Sequence, residues 1–167
     1  MGKTEQNLAE AFSGESQANR KYLAFAKKAD QEGHAQVARL FRAAAAAETV
    51  HAHAHLAVSG GVKSTAENLR DAVSGESYEF VKMYPEFIEQ AKAEENKMAV
   101  RSFSNAMKVE GIHHGLYEKA LKELEAGAKP EMKVYYVCQV CGNTVENEAP
   151  DVCPICGAPK EKFLKVE

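Results

Sequence analysis

The sequence contains no run of 18 or more apolar residues, so it offers no candidate for a membrane-spanning helix. Its opening, Met1-Gly2-Lys3-Thr4-Glu5, lacks the apolar stretch of a secretory signal, and Gln6 stands where a myristoylation pattern needs Ser or Thr. Charge of one sign is not in excess: the formal balance is -3, which gives no electrostatic case for nucleic acid or a membrane surface as partner. Cysteine is scarce, and all 4 cysteines fall between residues 138 and 156. A disulfide scaffold would scatter them, so the clustering points to a metal site in a reducing compartment, with the cytoplasm as the expected location.

Glycine and proline are also sparse up to about residue 126, where Ala, Glu, Lys, Leu and Met dominate. That composition is helical. Four amphipathic stretches separate: from about residue 3 to Glu32; from His34 to about Val58, stopped by Gly60-Gly61; from the Ser64-x-x-Glu67 capping box to about Glu94; and from Asn96 to Ala126, with Gly127 as stop and Pro130 just beyond. From Lys133 onward the chain changes style. Val134-Tyr135-Tyr136-Val137 reads as a short strand, followed by Gly, Asn, Pro and Cys at close intervals. The expected organisation is a helical domain over 1–127, a linker over 128–132 and a small loop-rich β domain over 133–167.

The helical part repeats itself. Gly14-Glu15-Ser16 recurs as Gly75-Glu76-Ser77, and Arg39, Phe41, Glu48 and His51 recur 62 positions on as Arg101, Phe103, Glu110 and His113. Each half is therefore one helical hairpin carrying the same polar residues at matching heights. Glu15, Glu48, Glu76 and Glu110 each interrupt an apolar stripe midway. Desolvating an unpaired carboxylate costs several kcal/mol, so four at one level require positive charge between them. Glu48-x-x-His51 and Glu110-x-x-His113 are the only Glu-x-x-His sequences, one per half. A spacing of three puts both side chains on one helix face. Two such motifs with one Glu from each remaining helix form the recipe for a carboxylate-bridged di-iron or di-manganese site in an all-α, ferritin-like four-helix bundle. Hard carboxylates with one imidazole per metal suit iron or manganese better than zinc. Glu79 follows Glu76 by three residues on the same face and is a seventh candidate.

Cys138-x-x-Cys141 and Cys153-x-x-Cys156 form two knuckles of a four-thiolate site. Spacing does not choose between zinc and a single redox-active iron. The surroundings favour iron, because Cys141-Gly142 and Cys153-Pro154-Ile155-Cys156-Gly157 resemble the two loops of rubredoxin, with Tyr135, Tyr136 and Phe163 available beside them.

In this order, bundle then rubredoxin-like tail, the chain resembles rubrerythrins along essentially its whole length. The matching stretches are Gly14-Glu15-Ser16-Gln17-Ala18, Glu48-Thr49-Val50-His51, Gly75-Glu76-Ser77-Tyr78-Glu79 with Met83-Tyr84-Pro85, Glu110-Gly111-Ile112-His113, and the four cysteines. The resemblance implies two irons bridged by Glu48 and Glu110, with Glu15 terminal on one and Glu76 with His113 on the other. It implies that the first iron exchanges His51 for Glu79 on oxidation, a harder ferric ion favouring an anionic oxygen. Tyr22 and Tyr84 match family tyrosines that hydrogen-bond the ligand carboxylates, although core packing accounts for them equally well. The implied reaction is reduction of hydrogen peroxide to water, with the four-cysteine iron returning electrons from an NAD(P)H-dependent reductase. No nucleotide-binding Gly-rich loop occurs, so that reductase is a separate protein. A ferroxidase that handles iron is the main alternative; an oxygenase and a zinc-ribbon adaptor are others.

The crossover poses a geometric difficulty. In ferritin-like bundles the second and third helices run parallel. The second extends about 15 Å past Glu48 and the third would start about 16 Å before Glu76. Residues 59–64 would then cover roughly 30 Å, with a straight reach of only about 25 Å. Either residues 65–74 are partly unwound, or the hairpins are exchanged between the chains of a homodimer.

Overall fold

The computed structural model describes residues 2–129 and 131–166. Pro130, expected to lie just beyond the last helix and within the linker, falls outside the described residues. The chain forms two compact units, Met1–Lys63 and Ser64–Glu167.

The first unit is a helical hairpin of α1 (Lys3–Gln31) and α2 (Ala35–Val58). Its seam is built from alanine: Ala26, Ala29, Ala38, Ala45 and Ala52 are buried. Side chains this small let two helix backbones approach closely. Asn19 ties the seam by donating its amide to the Ala45 carbonyl at 2.7 Å and to Thr49 Oγ1 at 2.8 Å. Near the turn, Arg42 reaches Asp30 at 2.7 Å. The turn itself needs Gly33, whose φ of 81° lies in the left-handed region that a Cβ disfavours. Several large apolar side chains of this unit are exposed, among them Leu23, Phe25, Leu40 and Val50.

The second unit begins with α3 (Thr65–Tyr78), capped as the Ser64-x-x-Glu67 pattern requires: Ser64 accepts from the Glu67 N–H, and the Glu67 carboxylate accepts from the Ser64 N–H. The helix expected to continue to Glu94 does not stay α-helical. It widens into a π-helical segment over Glu79–Met83, then resumes as α4 (Tyr84–Ala93), with Pro85, which has no N–H to give the preceding turn, just after the widened segment. The antiparallel partner is α5 (Lys97–Glu125), whose N-cap Asn96 accepts from the Ala99 N–H at 3.0 Å. Ile88, Ala91 and Val109 are buried in this hairpin.

A three-stranded antiparallel sheet follows, ordered β2-β1-β3, from β1 (Tyr135–Cys138), β2 (Thr144–Glu146) and β3 (Phe163–Val166). Its register pairs Tyr136 with Val145 and with Lys165. A short 3-10 turn, Lys160–Lys162, leads into β3. The small core around Cys138, Cys153 and Ala158 is closed by Ile155 and Phe163. Four helical rods in two hairpins, with a small antiparallel sheet after them, is the all-α ferritin-like class with a rubredoxin-like tail. Among the described residues no helix is long and apolar enough to cross a membrane.

Candidate metal centres

Each helical hairpin gathers two carboxylates and one imidazole. In the first unit the donor atoms of Glu15 on α1 and of Glu48 and His51 on α2 all lie within 4.8 Å of one another. His51 Nδ1 stands 3.1 Å from Glu48 Oε2 and 3.8 Å from Glu15 Oε2. In the second unit Glu76 on α3 joins Glu110 and His113 on α5 within the same limit, with His113 Nδ1 2.9 Å from Glu110 Oε2 and 3.8 Å from Glu76 Oε1. The two groups are nearly superposable in these distances. The structural repeat extends to the aromatics beside them. Tyr22 and Phe41 rings are 6.1 Å apart and tilted 34°, while Tyr84 and Phe103 are 6.2 Å apart and tilted 36°. Phe25–Phe41 and Phe87–Phe103 are both at 5.6 Å. Both tyrosines thus pack as aromatics; among the described residues no hydrogen bond joins either hydroxyl to a ligand carboxylate.

Glu79 is the first residue of the π-helical segment and lies outside the three-residue group. The segment accounts for a mismatch in the repeat. Glu15 and Glu76 are 61 positions apart, whereas Tyr22 and Tyr84, and every matched pair after them, are 62 apart. The second half therefore carries one extra residue between Ser77 and Tyr84, and the π-helix at Glu79–Met83 absorbs it without breaking the rod.

Crowded carboxylates shift one another. The Glu15 carboxyl is held above its ordinary range by its hydrogen bond with Glu48 and by burial, while the same bond, followed by that from His51, holds Glu48 below. Burial first, then the Glu110 charge, pushes Glu76 up. Burial and the Glu76 charge do the same for Glu79. Burial and the charges of Glu110, Glu79 and Glu76 raise the Tyr84 hydroxyl. The second unit thus crowds anions, and a cation is what such a group accommodates. Metal–ligand bonds of about 2.1 Å in an octahedral ion place neighbouring donors about 3 Å apart, which the imidazole–carboxylate pairs already match.

These shifts set a pH dependence. A carboxyl whose pKa is raised in the folded state holds its proton more tightly there than in the unfolded chain. Its contribution to stability is full below the unfolded value and lost as pH rises through the folded one. With the bundle metals stripped and the four-cysteine metal retained, the thermal midpoint is expected to fall as pH rises from the ordinary Glu value of 4.5 through the raised values of Glu76 and Glu79. Metal-loaded protein, which needs those carboxylates ionised, should not show the fall. Parallel slopes for the two forms would count against metal as the partner of these groups.

The four cysteine sulfurs also lie within 4.8 Å of one another. Cys138–Cys156 and Cys141–Cys153 sulfurs are 3.7 Å and 3.6 Å apart. A tetrahedron with metal–sulfur bonds of about 2.3 Å has edges of about 3.8 Å, so the cage is ready for an ion. Cys138 and Cys153 are buried, Cys141 and Cys156 partly exposed. Burial pushes the Cys141 thiol up; at Cys153 burial is outweighed by N–H groups of Cys156 and Ile155 and by neighbouring thiols, and its pKa comes down to about 7.

Asn143, which in sequence is an ordinary turn residue between Gly142 and Thr144, is fully buried. Its amide donates to Cys153 Sγ at 3.6 Å, and its backbone carbonyl accepts from the Cys138 N–H at 2.9 Å. Donors to a thiolate favour the reduced, more negative site. Asn143→Ala is expected to lower the midpoint potential by roughly 20–50 mV, in line with one hydrogen bond of about 1 kcal/mol; voltammetry of the four-cysteine iron checks this.

Two matched Glu-Glu-His groups, one on each helical hairpin, and a four-thiolate cage on a small sheet are the donor sets of an iron-type metalloprotein. The rubrerythrin family model matches residues 6–121, and the model of the rubrerythrin rubredoxin-like domain matches residues 136–164. The chain belongs to the rubrerythrin family. It is 36% identical to nigerythrin of Nitratidesulfovibrio vulgaris, covering 98% of this chain and 86% of that protein. It is 34% identical to rubrerythrin-2 of Clostridium acetobutylicum, over 96% and 95%. The solved structure of fully reduced, all-ferrous nigerythrin aligns with a TM-score of 0.59 at 36% identity, covering 99% of this chain and 88% of that one. The cofactors are therefore two irons in a carboxylate-bridged site and one iron held by Cys138, Cys141, Cys153 and Cys156. The protein is a di-iron oxidoreductase of oxidative-stress defence.

Proposed function

We propose that this protein is a hydrogen peroxide reductase. One peroxide takes two electrons and two protons and leaves as two waters; the di-iron site supplies the electrons when loaded. The observation that carries the reading is the presence, in one chain, of two matched Glu-Glu-His groups and a four-cysteine cage.

Glu15, Glu48, His51, Glu76, Glu110 and His113 would hold the pair, with Glu48 and Glu110 bridging. The two histidines are not equally held. His113 is paired at both ring nitrogens and about one quarter exposed, with 27% of its side chain open. His51 has 55% of its side chain exposed, and among the described residues only its Nδ1 is paired. That difference supports His51 as the ligand that gives way and Glu79 as the one that takes its place. Tyr22 and Tyr84 would wall the carboxylates with their aromatic packing.

The domain organisation we favour remains 1–127, 128–132 and 133–167. The partners would be a separate NAD(P)H-dependent reductase and a second copy of the chain, in the cytoplasm. Because α3 is helical from Thr65 onward, unwinding does not lengthen the link from Val58. The short link supports exchange of hairpins between two chains, and the exposed Phe25 and Leu40 leave apolar surface on the first hairpin for a second copy.

The test is anaerobic. Fully reduced protein receives one equivalent of peroxide while the visible spectrum is followed. Rapid peroxide consumption with return of the red ferric-thiolate colour is expected. Fast oxidation by oxygen with a sluggish response to peroxide would assign the site to ferroxidase chemistry instead. A monomer retaining both bundle irons would overturn the exchange.

A further inference from the structure

The four-cysteine lobe is fastened to the chain's own α5. Glu146 on β2 meets Lys133 at 2.9 Å and Lys119 at 3.1 Å, and these lysines, Lys133 first, hold its carboxyl below the ordinary range. A Cβ added to Gly142 would stand 3.7 Å from Val109, so the cysteine loop lies against the buried face of α5. Between these points Thr144 Oγ1 sits 2.9 Å from His113 Nε2 and 3.1 Å from the Gly142 carbonyl oxygen. Gly142 is the residue directly after Cys141.

We propose that Thr144 is a positioning residue that couples the two metal sites through His113. The inference rests on the reading of His113 as an iron ligand. With Nδ1 facing Glu110 and Glu76, its lone pair belongs to the metal, and the ring proton must sit on Nε2. Thr144 has one proton. Given to the Gly142 carbonyl, it leaves the hydroxyl oxygen to accept from His113 Nε2–H. Every group then has one role, and the result is a continuous path: Cys141, the Gly142 carbonyl, the Thr144 hydroxyl, the His113 ring. An electron leaving the four-cysteine site, which is oxidised by one unit, follows that path to the bundle site, which is reduced by one. The same bond fixes the plane of the His113 ring. Among the described residues His51 has no such bond, so the path described here runs through the second half of the repeat.

Two readouts test this on the full-length protein with Thr144→Val and Thr144→Ser. In zinc-loaded, diamagnetic protein, solvent exchange of the His113 Nε2 proton is followed by 15N NMR. In iron-loaded protein, the return of the ferric-thiolate colour is timed after a peroxide pulse. Losing a partner of a ligating histidine changes site behaviour by about 10–100-fold. Thr144→Val is accordingly expected to speed proton exchange and slow colour return by about 10-fold each, with final amplitude unchanged, and Thr144→Ser to restore both. Wild-type rates in Thr144→Val overturn the proposal, as does faster proton exchange with unaltered colour return, which would leave Thr144 a packing contact. An Nδ1 shift showing no metal bond in the wild type would instead overturn the assignment of His113 itself.

Discussion

Glu110→Ala is expected to reduce the iron content from three per chain to about one and to lower peroxide reduction by more than about 100-fold. Glu110 is the carboxylate closest to His113, at 2.9 Å, and its charge presses on Glu76 and Tyr84 as well. Removing it takes away the proposed bridge and one of the anions that make the site attractive to a cation. The four-cysteine cage shares no ligand with it, so the red colour should survive. Elemental analysis and the visible spectrum read the two sites separately. Full retention of iron in the variant would refute Glu110 as a bridge.

Cys153→Ser has the second large effect, of a different kind. Cys153 is buried and accepts the Asn143 amide together with the Ile155 and Cys156 N–H groups. The lobe's core is little more than this cage with Ala158, Ile155 and Phe163. In small domains of this kind, metal binding worth about 10 kcal/mol or more is folding free energy. The variant should therefore lose its colour and the protease resistance of residues 133–166 while keeping its helical circular dichroism. Steady turnover with a reductase should fall by about 100-fold or more, whereas chemically reduced protein should still consume peroxide once. Unimpaired steady turnover would mean that electrons reach the bundle by another way.

Much of this was legible in the residues because the determining contacts are local. A Glu-x-x-His spacing places both side chains on one helix face whatever the tertiary context, and the Ser64–Glu67 cap closes within one turn. The cysteine knuckles carry their own N–H donors. The π-helical segment was not legible, since Glu79-Phe80-Val81-Lys82-Met83 has ordinary helical composition. Its one signal was the change of repeat offset from 61 to 62, visible only when both halves are aligned on either side of it. The Thr144–His113 bond joins residues 31 apart and depends on the lobe lying against α5. No periodicity encodes that. Asn143 was hidden for a related reason: an Asn between Gly and Thr reads as a turn residue, and only burial shows it facing a thiolate.

The extra residue in the π-helical segment also limits how the two hairpins can be traded. A chain made by copying α1 into the place of the third rod would arrive one residue short. In the first hairpin the shorter rod already brings Glu15 to its group and sets Tyr22 and Phe25 against Phe41 at 6.1 Å and 5.6 Å, so the copy would reach both without the added residue. Tandem duplication of the first hairpin would therefore keep the ligands and the aromatic wall and lose the widened turn that carries Glu79. A symmetric redesign of this molecule would have to carry the added residue in both halves or in neither.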